Sequence, residues 1–178
     1  AQFSEIYDQV VTVNGVSKAW AMTGWRLGYI GAPKEIAAAC DKVQGQFTSA
    51  TSSITQRATI AAMYADPHVL QDMIAAFESR RNLVLNGLRN IPGLKVNNPG
   101  GAFYVFPDCS SYFGKQYNGQ MISNSDDLCM YLLEVALVAC VGGAAFGDPN
   151  CFRISYAASE ETLQKAVDRI GAALGQLQ

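Results

Sequence analysis

One short segment places a primary amine and a guanidinium close together in the chain: Gly15-Val16-Ser17-Lys18-Ala19-Trp20-Ala21-Met22-Thr23-Gly24-Trp25-Arg26-Leu27-Gly28. Lys18 follows an apolar run that ends in Asn14-Gly15. Arg26 stands at the entrance to the next apolar run. Strand ends are where α/β proteins hold their ligands. A lysine near another cation, in poorly solvated surroundings, becomes a nucleophile towards carbonyls. A planar guanidinium grips phosphate through two parallel hydrogen bonds. The ordinary fate of an arbitrary lysine–arginine pair is a solvated loop. The pair therefore gains meaning only from what surrounds it.

The elements that must position these groups can be read from periodicity. Asp8–Gly15 is β-rich, ends in a turn dipeptide and predicts a buried strand. Trp25–Ala32 predicts a second strand, stopped by Pro33. From there Ile36, Ala37, Cys40, Val43 and Phe47 fall three to four apart, as on one face of a helix. Thr48–Thr55 is a Ser/Thr-rich break, and a helix through Ala65 follows. Asp66-Pro67 then opens a long helix, with Asp as N-cap and Pro at the first position. Its apolar face carries Leu70, Met73, Ile74, Phe77, Val84, Leu88 and Ile91, and Pro92-Gly93 stops it after Asn90. Beyond residue 92 the texture is that of a small α/β unit. Short strands are expected at Leu94–Val96, Ala102–Phe106, Ala139–Val141 and Phe152–Tyr156, with helices over Asp126–Leu137 and from Ser159 onward. Leu163, Val167, Ile170, Leu174 and Leu177 line one side of the last helix.

The composition narrows the classes of function. The 178 residues are 49% hydrophobic and 16% charged, with a net charge of −2 and no basic stripe, which argues against nucleic acid as a partner. No run of ~18 apolar residues predicts a membrane span and no export signal is expected. The five cysteines are odd in number and form no C-x-x-C pair. They read as free thiols in a reducing cytoplasm, with Cys129 and Cys140 as core filler. With His68 the only histidine, a zinc site has little to draw on and no metal is expected. Ala1–Tyr7 runs straight towards an apolar strand without the marks of a natural start, so upstream sequence is expected.

The Lys18 segment closely resembles the lysine signature of the class I/II aminotransferases, of the aspartate aminotransferase type. That pattern has a small residue three before the lysine and a small or hydroxyl residue just before it. An arginine follows eight residues later, then an aliphatic residue and a glycine. Gly15, Ser17, Lys18, Arg26, Leu27 and Gly28 meet each requirement. Met22-Thr23-Gly24-Trp25-Arg26 is similar to the bacterial aspartate/prephenate branch. Pro99-Gly100-Gly101-Ala102-Phe103-Tyr104 resembles the family's turn where the small domain meets the active site. Phe146-Gly147 with Phe152-Arg153-Ile154-Ser155-Tyr156 resembles its substrate-arginine strand.

The resemblance implies an α/β chain made of the end of the large pyridoxal-phosphate transferase domain (fold type I) plus the complete small C-terminal domain. The divisions would be 1–66, a connecting helix over 67–91, and 92–178. It implies a cytoplasmic transaminase that uses pyridoxal 5′-phosphate, acts on amino acids and 2-oxo acids, with aspartate and 2-oxoglutarate the expected pair, and forms a homodimer at full length. Lys18 would carry the cofactor and move the substrate's proton, Arg26 would hold its phosphate with help from Ser17, and Arg153 would bind the substrate α-carboxylate. The family's ring-stacking aromatic, pyridine-pairing acid and phosphate loop belong to its first half, so this piece alone is expected to be inactive. Two alternatives share the resemblance: a lyase or synthase of the same fold, and the effector domain of an aminotransferase-like transcription regulator.

Other features have plainer readings. Gly142–Gly147 lacks the spacing of a nucleotide loop. Cys109, Ser110 and Ser111 have no histidine to activate them. Glu160 and Glu161 suit a helix first turn. Thr48–Thr55 reads as a solvated loop, although the family resemblance would put it near a dimer interface. Ser4-Glu5-Ile6-Tyr7 looks like the family's acid-and-tyrosine cofactor motif but lies too near Lys18, and neither Glu5 nor Tyr7 is assigned to the cofactor.

Overall fold

The computed structural model describes residues 2–178, so Ala1 and the expectation about the chain start there lie outside it. The chain divides into two compact units, residues 1–71 and 72–178. In the first, β1 (Thr12–Gly15) and β2 (Gly28–Gly31) pair antiparallel, with Thr12 opposite Gly31 and Gly15 opposite Gly28. The glycine pair permits close approach of the two backbones. A Cβ on Gly15 would meet the Leu27 carbonyl oxygen at 3.2 Å, and one on Gly28 would meet that of Asn14 at 3.2 Å. The hairpin is followed by α1 (Lys34–Phe47) and α2 (Ser53–Tyr64).

Two expectations for this unit are corrected. The strand expected over Asp8–Gly15 is shorter: Asp8 and Gln9 end a 3-10 turn, Ser4–Gln9, and β1 begins only at Thr12. β1 is also exposed instead of buried, with Val13 75% accessible. Among the described residues no third strand joins this sheet, which leaves its apolar side chains uncovered. The α1 stripe is helical as expected but carries no buried residue, and Phe47 is 84% accessible.

The second unit has a true core. It takes in α3 (Gln71–Arg89), whose lead-in is a 3-10 turn, Pro67–Leu70, capped by Asp66: its Oδ1 accepts from His68 N at 2.9 Å. Val84, Leu85 and Leu88 bury the C-terminal half of α3. The remaining elements are β3 (Tyr104–Val105), β4 (Gln116–Tyr117), β5 (Gln120–Met121), α4 (Ser125–Ala136), β6 (Val141–Gly142), β7 (Phe152–Ser155) and α5 (Glu160–Leu174). β7 lies between β3 and β6 in a three-stranded antiparallel sheet. Phe152, Leu128, Leu132 and Ile170 are fully buried where sheet and helices meet.

Caps define both later helices. Asn124 Oδ1 accepts from Asp127 N at 2.9 Å, and Ser159 Oγ from Thr162 N at 3.2 Å, each satisfying an orphan donor. β4 and β5 form a short hairpin outside the strands expected from the sequence. Asn118 and Gly119 turn between them with φ of 47° and 83°, the left-handed pair that a two-residue hairpin requires. The strand expected at Leu94–Val96 reduces to one bridge, Lys95 to Asp108.

Gly143, before the Ala144–Phe146 turn, has no room for a side chain. A Cβ there would lie 2.2 Å from the Asp148 carbonyl oxygen and 2.3 Å from that of Cys151. Backbone atoms cannot step aside, so Gly143→Ala should destabilise the second unit by about 3 kcal/mol. Gly171 sits in α5 with only ordinary contacts at 3.5 Å and beyond. Gly171→Ala should stabilise by up to about 1 kcal/mol through helix propensity. Urea unfolding followed by circular dichroism checks the opposite signs.

Candidate functional site

The lysine segment lies in the first unit as two successive turns joining β1 to β2. Val16, 1% accessible, pins its start. Val16 O accepts from Trp20 N, Lys18 O from Ala21 N, and Met22 O from Trp25 N, each at 3.2 Å. Ala21 takes φ 52° and Arg26 takes φ 53°, both left-handed. A non-glycine residue in that region costs on the order of 1 kcal/mol. For Arg26 the conformation brings Nη1 to donate to the Thr23 carbonyl at 3.0 Å, which closes the second turn on itself. The Gly15–Gly28 register places Lys18 and Arg26 on the two strands of chain leaving one end of the hairpin. Ser17 is half-buried, while Lys18 and Arg26 are exposed. The poorly solvated setting expected for the lysine is therefore not supplied by the described residues of this unit.

Arg153 lies in the second unit, on β7. The strand alternates: Phe152 and Ile154 are buried, Arg153 is half-buried and Ser155 is exposed. The guanidinium carbon sits 4.4 Å from the Tyr104 ring centroid and 4.3 Å from that of Phe146. Among the described residues it has no acidic partner and no hydrogen bond. The Pro99–Tyr104 turn is tied to the end of the same strand. Tyr156 Oη donates to the Ala102 carbonyl at 2.9 Å, Tyr156 N donates to Phe103 O at 2.9 Å, and Ala102 has φ 60°. Sequence reasoning named both motifs but missed that Tyr104 and Phe146 flank Arg153. The signal would have been the strand order, which puts β3 and β6 on either side of β7.

The remaining candidates lose chemical promise. Cys109 is fully buried, and its Sγ donates to Asn150 O at 3.2 Å. Burial above all, then the neighbouring Cys129 and Cys151 thiols and Asp108, pushes its pKa up to about 12. A thiol so hard to ionise is no nucleophile at neutral pH. Cys129 is buried, as expected of core filler, and Cys140 is half-buried. Glu160 accepts from Ser79 Oγ at 2.6 Å and Glu161 pairs with Lys165 at 2.6 Å, both on the surface. Among the described residues no cluster could hold a metal ion, and no helix is long and apolar enough to cross a membrane.

The chain belongs to the aminotransferase class I and II family, whose model matches residues 1–170. It is 52% identical over 178 residues to a bifunctional aspartate aminotransferase and glutamate/aspartate-prephenate aminotransferase of Petunia hybrida, covering 98% of this chain and 37% of that protein. It is 49% identical to an aspartate aminotransferase of Rhizobium meliloti (strain 1021), covering 96% and 42%. The crystal structure of an aspartate aminotransferase from Rhizobium meliloti matches with a TM-score of 0.93 at 48% identity, covering 97% of this chain and 43% of that one. The chain thus spans about two fifths of the length of these relatives. The fold class expected from the sequence, α/β of the pyridoxal-phosphate transferase fold type I, is borne out.

The buried thiol also sets a pH dependence. The folded pKa of Cys109 lies near 12 against 9.0 ordinarily, so the folded chain keeps a proton that the unfolded chain loses first. Its contribution to stability is full below about pH 9 and is lost as pH rises towards 12. Unfolding free energies measured from pH 8 to 11 should fall, and Cys109→Ala should flatten part of that slope. An unchanged slope in the variant would contradict the assignment.

Proposed function

We propose that this chain is the C-terminal part of an aminotransferase that exchanges amino groups between amino acids and 2-oxo acids, with aspartate and 2-oxoglutarate as the pair. The observation that carries the reading is the Lys18–Arg26 double turn at one end of the β1–β2 hairpin, in a chain of this family. Aspartate as one partner is supported by the names of the relatives, which are aspartate and aspartate/prephenate aminotransferases, and 2-oxoglutarate is the acceptor that the family resemblance implies.

The donors present fit pyridoxal 5′-phosphate. Lys18 offers an amine that can condense with an aldehyde. Arg26 spends one donor on Thr23 O and keeps the others for a phosphate. Ser17, half-buried in the same turn, adds a hydroxyl. When bound, the cofactor supplies the electron sink that makes the substrate's α-hydrogen acidic. Lys18 Nζ takes that proton and returns one, as a positioned general base and then acid. Arg153 holds the α-carboxylate with its planar fork of donors. The divisions 1–66, 67–91 and 92–178 serve as large-domain remainder, connecting helix and small domain, and the whole protein works as a cytoplasmic homodimer.

The exposed apolar surface of the first unit supports a larger parent. Phe47, Tyr64, Val13 and Ile54 are each more than 70% accessible, and single proteins rarely leave such surface bare. The full-length protein should convert aspartate and 2-oxoglutarate to oxaloacetate and glutamate. Lys18→Ala should cut kcat by at least about 10³-fold, and Arg26→Ala should weaken cofactor retention. The 178-residue piece alone should show no turnover. Products of elimination or decarboxylation without amino-group exchange would contradict the reading, and normal turnover by the isolated piece would contradict its incompleteness.

A further inference from the structure

We propose that Tyr104 and Phe146 are positioning residues, which hold the Arg153 guanidinium flat so that its N–H edges stay open to a planar carboxylate. This rests on the proposed role of Arg153 as the substrate-carboxylate arginine. A half-buried arginine usually finds an acidic partner, because an uncompensated charge away from water is costly. Arg153 has none among the described residues; it has two aromatic rings at 4.4 and 4.3 Å instead. The guanidinium carbon lies over both rings, where the ring quadrupoles attract a cation without using its N–H donors. They leave the in-plane donors unspent, and those are the donors that bind a carboxylate bidentately.

The two rings come from opposite neighbours of β7. Tyr104 is on β3, and Phe146 is in the turn that follows β6. Each ring is backed by another. Phe106 meets Phe146 edge-on at 6.3 Å and 86°, and Phe103 lies against Tyr104 at 4.4 Å. Gly143, where no Cβ fits, sets the turn that carries Phe146. The arginine is thus oriented by packing before any ligand arrives, which lowers the ordering cost of binding. A ligand must then approach along the plane of the guanidinium, which favours carboxylates.

The test uses the full-length protein. Tyr104→Leu and Phe146→Leu should each raise KM for the amino acid roughly tenfold, with kcat changed much less. Tyr104→Phe and Phe146→Tyr, which keep a ring, should restore it. In an Arg153→Lys background the leucine changes should add little, since an ammonium is not held by its plane. Unchanged KM in the leucine variants, or an equal penalty in the Arg153→Lys background, would overturn the proposal. Arginine-labelled NMR spectra of the same protein should show the Arg153 side-chain protons shifted upfield by the rings, with the shift reduced in either leucine variant. Its absence would also overturn the proposal. A wild-type protein with the ring shift but no amino-group exchange would instead sink the transaminase reading and leave the stacked arginine standing.

Discussion

The two-residue period of β7 governs the second unit of this chain. Phe152 and Ile154 must enter the core, because they supply the apolar contact that α3, α4 and α5 pack around. Arg153 therefore cannot. A shift of one residue would bury the guanidinium and expose Phe152, so the register is strongly specified. The same constraint places Arg153 between the two strands that flank β7, where rings rather than acids meet it. Packing and chemistry are here one fact: the strand that closes the core also aims the arginine.

The first unit follows a different logic. Its order comes from local turns, a glycine pair in the hairpin and helix propensity, with Val16, Thr55 and Thr59 its only buried residues among those described. The apolar stripe of α1 and the faces of β1 are built for burial that this unit does not provide. That pattern agrees with a chain spanning about two fifths of its relatives. It also explains why Lys18 is exposed: the geometry of the turn is local, whereas the dry surroundings that sharpen a lysine's reactivity need further walls.

Much of this was legible in the sequence, and the misses have physical causes. The caps at Asp66 and Ser159 and the buried side of α5 follow from local hydrogen bonding and a 3.6-residue period, and the structure has them. β1 looked like a buried strand because continuous apolar runs usually are, but burial depends on neighbours that periodicity cannot supply. The β4–β5 hairpin is poorly legible despite the strong turn signal of Asn118-Gly119, because its strands are two residues long and carry no alternating pattern. Lys18, Arg26 and Ser17 in the first unit, and Arg153 in the second, could each be named from motif resemblance. The rings around Arg153 could not, since they come together only through the order of three strands.

The proposed function depends on Lys18 as the residue that would carry the cofactor. Borohydride reduction of the full-length protein with pyridoxal phosphate bound, followed by peptide mapping, tests it most directly. A single phosphopyridoxyl label on the peptide containing Lys18, absent in Lys18→Ala, is the predicted result. A label on another lysine, or none anywhere, would contradict the account.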